Sequence, residues 1–108
     1  MRNVLVIDDD LGIRKVLTIA LEADDDIGEV KVVSSGSEAL HLDEDFVPDV
    51  VVLDFWMPGM NGDEAAAELR KRYPEARIIA YSGVLEEKPD WADAHFVKGD
   101  LPDLGSLS

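Results

Sequence analysis

The chain contains no cysteine. That excludes disulfides, thiol nucleophiles and Cys-ligated zinc, and leaves the redox compartment unread. Basic residues are scarce: 10 Lys and Arg stand against 24 Asp and Glu, a formal net charge of −14. Nucleic acid and anionic membranes need a basic face, so both are excluded as expected partners; cations and basic protein surfaces suit the chain. No apolar run approaches the ~20 residues of a membrane-spanning helix. Met1-Arg2-Asn3 leads straight into an apolar strand and lacks the form of a signal peptide, so a cytoplasmic location is expected. Internal repeats, linkers and low-complexity segments are also missing. There remain 108 residues, 46% of them apolar, enough for a single domain over 1–108 with one modest core and too few for two.

Charged residues stand at the ends of the short apolar runs. Asp8 and Asp9 follow Val4-Leu5-Val6-Ile7, Asp54 follows Val50-Val51-Val52-Leu53, and Lys98 follows Phe96-Val97. Runs of about four β-branched or aliphatic residues read as strands buried on both faces. In an open parallel sheet, ligands sit outside the carboxyl ends of the strands. These four charged residues therefore converge on one site, and three carboxylates with a lysine suit a hard cation and a phosphoryl group.

Strand and helix signals alternate along the chain. Residues 3–8 form the first strand. From Leu11, the positions Ile13, Val16, Leu17, Ala20 and Leu21 recur at helical spacing. Asp10 is the right kind of residue to cap that helix, and Asp24-Asp25-Asp26 ends it as a solvated turn. Val30, Val32 and Val33 mark a second strand. Ser35-Gly36-Ser37-Glu38 fits a capping box for a helix running through Ala39, Leu40 and Leu42. Residues 50–54 form the third strand, and Met57-Pro58-Gly59-Met60-Asn61-Gly62 is dense in turn formers. Ala65 to Tyr73 is helical and is stopped by Pro74. Arg77 to Tyr81 and Ala94 to Val97 complete five strands. Five strands alternating with helices imply a doubly wound α/β fold with a parallel sheet.

With Val-Leu-Val-Ile-Asp8-Asp9-Asp10, Ser-Ser-Gly-Ser-Glu-Ala-Leu (34–40), Asp-Val-Val-Val-Leu-Asp54, Met57-Pro58-Gly59-Met60-Asn61-Gly62, Ala80-Tyr81-Ser82-Gly83 and Val97-Lys98 in this order, the chain resembles the receiver domain of two-component response regulators. Each piece alone is weak; all together they are specific. The resemblance implies a flavodoxin-like sheet in the order 2-1-3-4-5. It implies Asp54 as phosphoacceptor, a role a carboxylate nucleophile can fill. It implies Mg²⁺ held by Asp9 and Asp54 directly, by Asp8 through water and by the main-chain carbonyl of Trp56. Lys98 would pair with a phosphoryl oxygen and the Ser82 hydroxyl would donate to another. The donor would be a sensor histidine kinase or phosphotransfer protein, and the output would go to a further protein. Crowded carboxylates repel, and bound Mg²⁺ should relieve this and raise the melting temperature.

The chain also departs from the family. Only the fifteen residues 83–97 separate Ser82 from Lys98. Subtracting a strand of about five residues and about four of loop leaves too few for a full fourth helix, and Pro89 lies among them. The chain runs ten residues past Lys98, with Pro102 and Gly105 among them, so the fifth helix is expected to be a stub. Gly99 stands where proline is common, and His95 holds the position three before the lysine. Trp56 and Val84, which would flank the phosphorylation pocket, are both apolar, which predicts a long-lived phosphoryl state. Two rivals to phosphate-driven signalling follow. One is a receiver-like interaction module independent of phosphate. The other is a small Mg²⁺-dependent phosphohydrolase, disfavoured because no Asp follows Asp54 at the second position.

Overall fold

The apolar runs are strands, and neighbouring residues in each point to opposite, equally covered faces. The computed structural model describes residues 2–54, 62–82 and 90–97. In chain order its elements are β1 (Arg2–Ile7), α1 (Leu11–Glu22), β2 (Ile27–Val33), α2 (Gly36–Ala39), β3 (Val50–Asp54), α3 (Gly62–Arg72), β4 (Arg77–Ser82) and β5 (Ala94–Val97). The strands form one sheet in the order β2-β1-β3-β4-β5, with every neighbouring pair parallel. This is the fold class the sequence implied. No described helix is long and apolar enough to cross a membrane.

On one face Val4, Val6, Val50, Val52, Ile79 and Tyr81 pack with Leu17 and Leu21 of α1. On the other, Leu5, Ile7, Val51, Leu53 and Ile78 pack with Ala39 of α2 and Ala65, Ala66 and Leu69 of α3. Two-sided burial explains why β1 and β3 read as continuous apolar runs rather than alternating ones. The same burial leaves only the strand ends as places for charge.

The helix ends follow local chemistry. Asp10 caps α1 by accepting from the Ile13 amide, as expected. Beyond α1, the Asp24 carboxylate accepts from the Asp26 amide, an Asx turn that delivers the chain to β2. The Ser35 hydroxyl accepts from the Glu38 amide. The return arm of this box reaches one residue further back than expected, because the Glu38 carboxylate accepts from the amide and hydroxyl of Ser34. Those two bonds hold the Glu38 carboxyl below its usual range, with a smaller contribution from the charge of Arg14.

Helix α2 is shorter than the sequence indicated. It ends at Ala39, with Leu40 as its cap, not beyond Leu42. The segment Asp43–Asp45 turns instead: the Asp43 carboxylate accepts from the Asp45 amide and its carbonyl from Phe46. Phe46, only 3% exposed, then fills the core where a longer helix would lie. The Arg72 guanidinium donates to the Leu42 carbonyl and reinforces the early exit. Helix α3 starts three residues earlier than expected, at Gly62, with Asp63 and Glu64 in its first turn and Arg70, Lys71 and Arg72 in its last. Both charge placements favour the helix dipole. The shortened fourth helix and stub fifth helix were expected within residues that lie largely outside those described; residues 90–93, which lead into β5, carry no helix.

The edge near β5 is held by one carboxylate. Asp93 accepts from the Ile78 amide and from Arg70, whose guanidinium also donates to the Trp91 carbonyl. Burial pushes the Asp93 carboxyl up, but the Ile78 amide, the Arg70 hydrogen bond and the charges of Arg70 and Arg77 outweigh it, and the net displacement is downward. A carboxyl depressed in the folded state stabilises above its unfolded value, about pH 4, and that contribution is lost as pH falls further. Asp93→Asn is therefore expected to cost about 1 kcal/mol at pH 7, a difference that shrinks below pH 4. Urea melts of both proteins at pH 7 and pH 3 check this; a gap that is equal at both pH values defeats it.

Candidate phosphoacceptor and metal site

The parallel register builds the site. Ile7 pairs with Leu53 across β1 and β3, so the next residues, Asp8 and Asp54, leave adjacent strands side by side. Both are buried, at 1% and 2% exposure, whereas Asp9 is exposed. One carboxylate oxygen from each of Asp8, Asp9 and Asp54 lies within 4.8 Å of the others. Asp54 in turn pairs with Tyr81 on β4, and Ser82 pairs with Val97 on β5. The carboxyl ends of β1, β3, β4 and β5 thus fall at one end of the sheet.

Asp8 is fixed by its own loop. Its amide donates to the Val33 carbonyl, one of its carboxylate oxygens accepts from the Asp10 amide, and its carbonyl accepts from the Arg14 guanidinium at 2.8 Å. Asp10, by contrast, spends its carboxylate on the α1 cap, which separates it from the other three acids. Arg14 was not singled out from the sequence. Its signal was a cation six residues beyond Asp8 on the helix that the Asp8–Asp10 turn opens.

Three ionised carboxylates this close repel one another by about 3 kcal/mol or more per pair at an effective dielectric near 20. A divalent cation removes that cost. The donors are all carboxylate oxygens, with no imidazole or thiolate among them, which fits a hard ion such as Mg²⁺ rather than zinc. Of the three acids, Asp9 is the one exposed to solvent.

Residues 4–97 match the family model described as the response regulator receiver domain. The chain belongs to that family. Over 87 residues this receiver domain is 34% identical to the transcriptional regulatory protein LiaR of Bacillus subtilis, which covers 81% of the chain and 41% of LiaR. Over 89 residues it is 37% identical to the response regulator GacA of Pseudomonas viridiflava, 82% of the chain and 41% of GacA. The chain therefore spans less than half the length of these curated relatives. Its fold is similar to that of the response regulator TrrA of Thermotoga maritima, solved in complex with Mg²⁺-BeF, at a TM-score of 0.83 and 32% identity over the whole of both chains.

Within this receiver domain the structure brings Asp8, Asp9 and Asp54 together. Ser82 is the last residue of β4, at the same end of the sheet. Its side chain, together with Trp56, Val84, Lys98 and Gly99, lies outside the described residues. His95 sits half-buried in β5, paired with Ala80.

Proposed function

We propose that this receiver domain accepts a phosphoryl group on Asp54 from a phosphohistidine of a sensor histidine kinase or phosphotransfer protein, with Mg²⁺ required, and signals through protein–protein contacts. The observation that carries this reading is the placement of a buried Asp54 carboxylate within 4.8 Å of the Asp8 and Asp9 oxygens, at the carboxyl end of a parallel sheet. TrrA, which has the same fold, was solved both with Mg²⁺-BeF and in complex with the histidine kinase ThkA.

In this mechanism an Asp54 carboxylate oxygen attacks phosphorus as the bond to the donor imidazole nitrogen breaks. The electron pair of that bond stays on the leaving nitrogen. Phosphoryl transfer needs positioning and charge neutralisation more than covalent assistance. The burial of Asp54 limits the directions from which phosphorus can approach. Asp8, pinned by the Asp10 amide and the Arg14 guanidinium, keeps a fixed position beside it. Bound Mg²⁺, held by Asp9, Asp54, the Trp56 carbonyl and Asp8 through water, would supply the positive charge that lets a dianionic phosphoryl group approach three carboxylates. Lys98 supplies a second positive charge to a phosphoryl oxygen, and the Ser82 hydroxyl a hydrogen bond to another. The domain catalyses only its own phosphorylation and dephosphorylation.

The test uses acetyl phosphate as donor, with intact mass as the readout. With Mg²⁺ a single phosphoryl adduct is expected, mapped to Asp54 by peptide analysis, and with EDTA none. No adduct in Mg²⁺ supports a phosphate-independent interaction module instead. Multiple turnover of the donor without an adduct supports a phosphohydrolase.

A further inference from the structure

Arg14 lies on the first turns of α1 and reaches back over the loop that opens that helix. Its guanidinium donates to the Asp8 carbonyl at 2.8 Å in a partly buried setting. It thereby closes a ring of contacts around residues 8–10. The Asp10 amide donates to the Asp8 carboxylate, the Asp10 carboxylate accepts from Ile13, and the Arg14 amide donates to the Asp10 carbonyl. The Thr18 hydroxyl donates in turn to the Arg14 carbonyl at 2.7 Å, which ties this residue to the next turn of α1. The loop so held carries two of the three carboxylates of the site, Asp8 and Asp9.

We infer that Arg14 is a positioning residue for the metal-binding loop, acting through the Asp8 main chain to hold Asp8 and Asp9 at the spacing a divalent cation needs. The inference rests on the Mg²⁺ reading above. Its physical basis is that a charge-assisted hydrogen bond is about twice as strong as a neutral one. Groups that orient metal ligands from behind typically change affinity about 10-fold or more when removed.

The sign of the effect separates positioning from charge. Arg14 is itself a cation, and a cation close to a metal site repels the metal. If its charge were all that mattered, removing it would tighten Mg²⁺ binding. If it holds the loop, removing it weakens binding in spite of the lost repulsion. A purely structural role would lower the melting temperature without moving Mg²⁺ affinity.

The experiment is isothermal titration of the purified chain with MgCl₂, for wild type, Arg14→Met and Arg14→Lys, with thermal melts of each in EDTA. Methionine keeps the unbranched stem and removes the donors; lysine keeps the charge and an N–H donor group but loses the planar guanidinium fork. Arg14→Met is expected to raise the Mg²⁺ Kd five- to tenfold, with Arg14→Lys in between and the EDTA melts within a few degrees of wild type. A wild type that binds Mg²⁺ with Arg14→Met within twofold of it, or tighter, overturns the inference and leaves the metal reading standing. A weaker Kd matched by an equal collapse of the EDTA melt also overturns it. A wild type that takes up no Mg²⁺ at millimolar concentration overturns both.

Discussion

Asp54→Asn is expected to abolish the phosphoryl adduct and, in EDTA, to make the domain more stable than wild type. The two effects have one origin. Asparagine keeps the shape of the side chain but has no anionic oxygen to attack phosphorus, so labelling by acetyl phosphate in Mg²⁺ should fall at least about a thousandfold, or ~4 kcal/mol of barrier. The same exchange removes one of three negative charges whose oxygens lie within 4.8 Å. Asp54 is 2% exposed, so solvent screens that repulsion poorly, and a gain of about 1 kcal/mol or more is expected without metal. For a domain of this size, that is a rise of roughly 4–8 °C in Tm. In millimolar Mg²⁺ the order should reverse, because wild type binds the ion more tightly and gains by mass action. Intact mass and paired melts in EDTA and Mg²⁺ read all three. An adduct that persists in Asp54→Asn would move the acceptor to another residue. A melt in EDTA that drops would mean that Asp54 contributes more through its contacts than it costs through its charge.

The acids of this site were legible because two-sided burial leaves little choice. Val4 to Ile7 and Val50 to Leu53 are at most 1% exposed, and such runs can only be strands inside a wound sheet. The first charged residue after each must then stand at a strand end, and parallel pairing puts the ends of neighbouring strands together. The order of the strands was not in the periodicity; it came from the resemblance. Helix α2 was misjudged because Ala39, Leu40 and Leu42 keep an apolar pattern whether the chain continues as a helix or leaves it. What decides is tertiary: Phe46 fills the core and Arg72 binds the Leu42 carbonyl, and neither is local to the helix. Arg14 was missed for a related reason. A cation on a helix reads as solvated surface until the fold shows which carbonyl it reaches.

The helical spacing of Ile13, Val16, Leu17, Ala20 and Leu21 predicts one apolar face for α1, yet of these five only Leu17 and Leu21 are buried in the core, and Val16 is 48% and the neighbouring Ile19 71% exposed. The helix has two stripes. One packs on the sheet, and the other, Gly12, Val16, Ile19 and Ala23, is exposed at the i, i+4, i+7, i+11 spacing of a helix-packing seam. This stripe starts two residues after the Asp10 cap, on the helix that follows Asp8 and Asp9, with Lys15 exposed next to it. The phosphohistidine donor proposed above is expected to dock along it, because that donor must bring its phosphoryl group to the same end of α1. Ile19→Glu places a charge in the middle of the seam. It is expected to lower phosphotransfer from an autophosphorylated sensor kinase about 10- to 100-fold, the cost of about 1.4–2.8 kcal/mol at a buried interface position. Labelling by acetyl phosphate should stay within twofold of wild type, because the carboxylates are untouched. The melting temperature should hardly move, because an exposed substitution away from caps and core costs little. Radiolabelled transfer from a panel of sensor kinases, run beside acetyl phosphate labelling and gel filtration, distinguishes the outcomes. An equal loss with both donors would assign Ile19 to the integrity of the site. A wild-type dimer that Ile19→Glu splits would give the seam to a second copy of the chain rather than to a kinase.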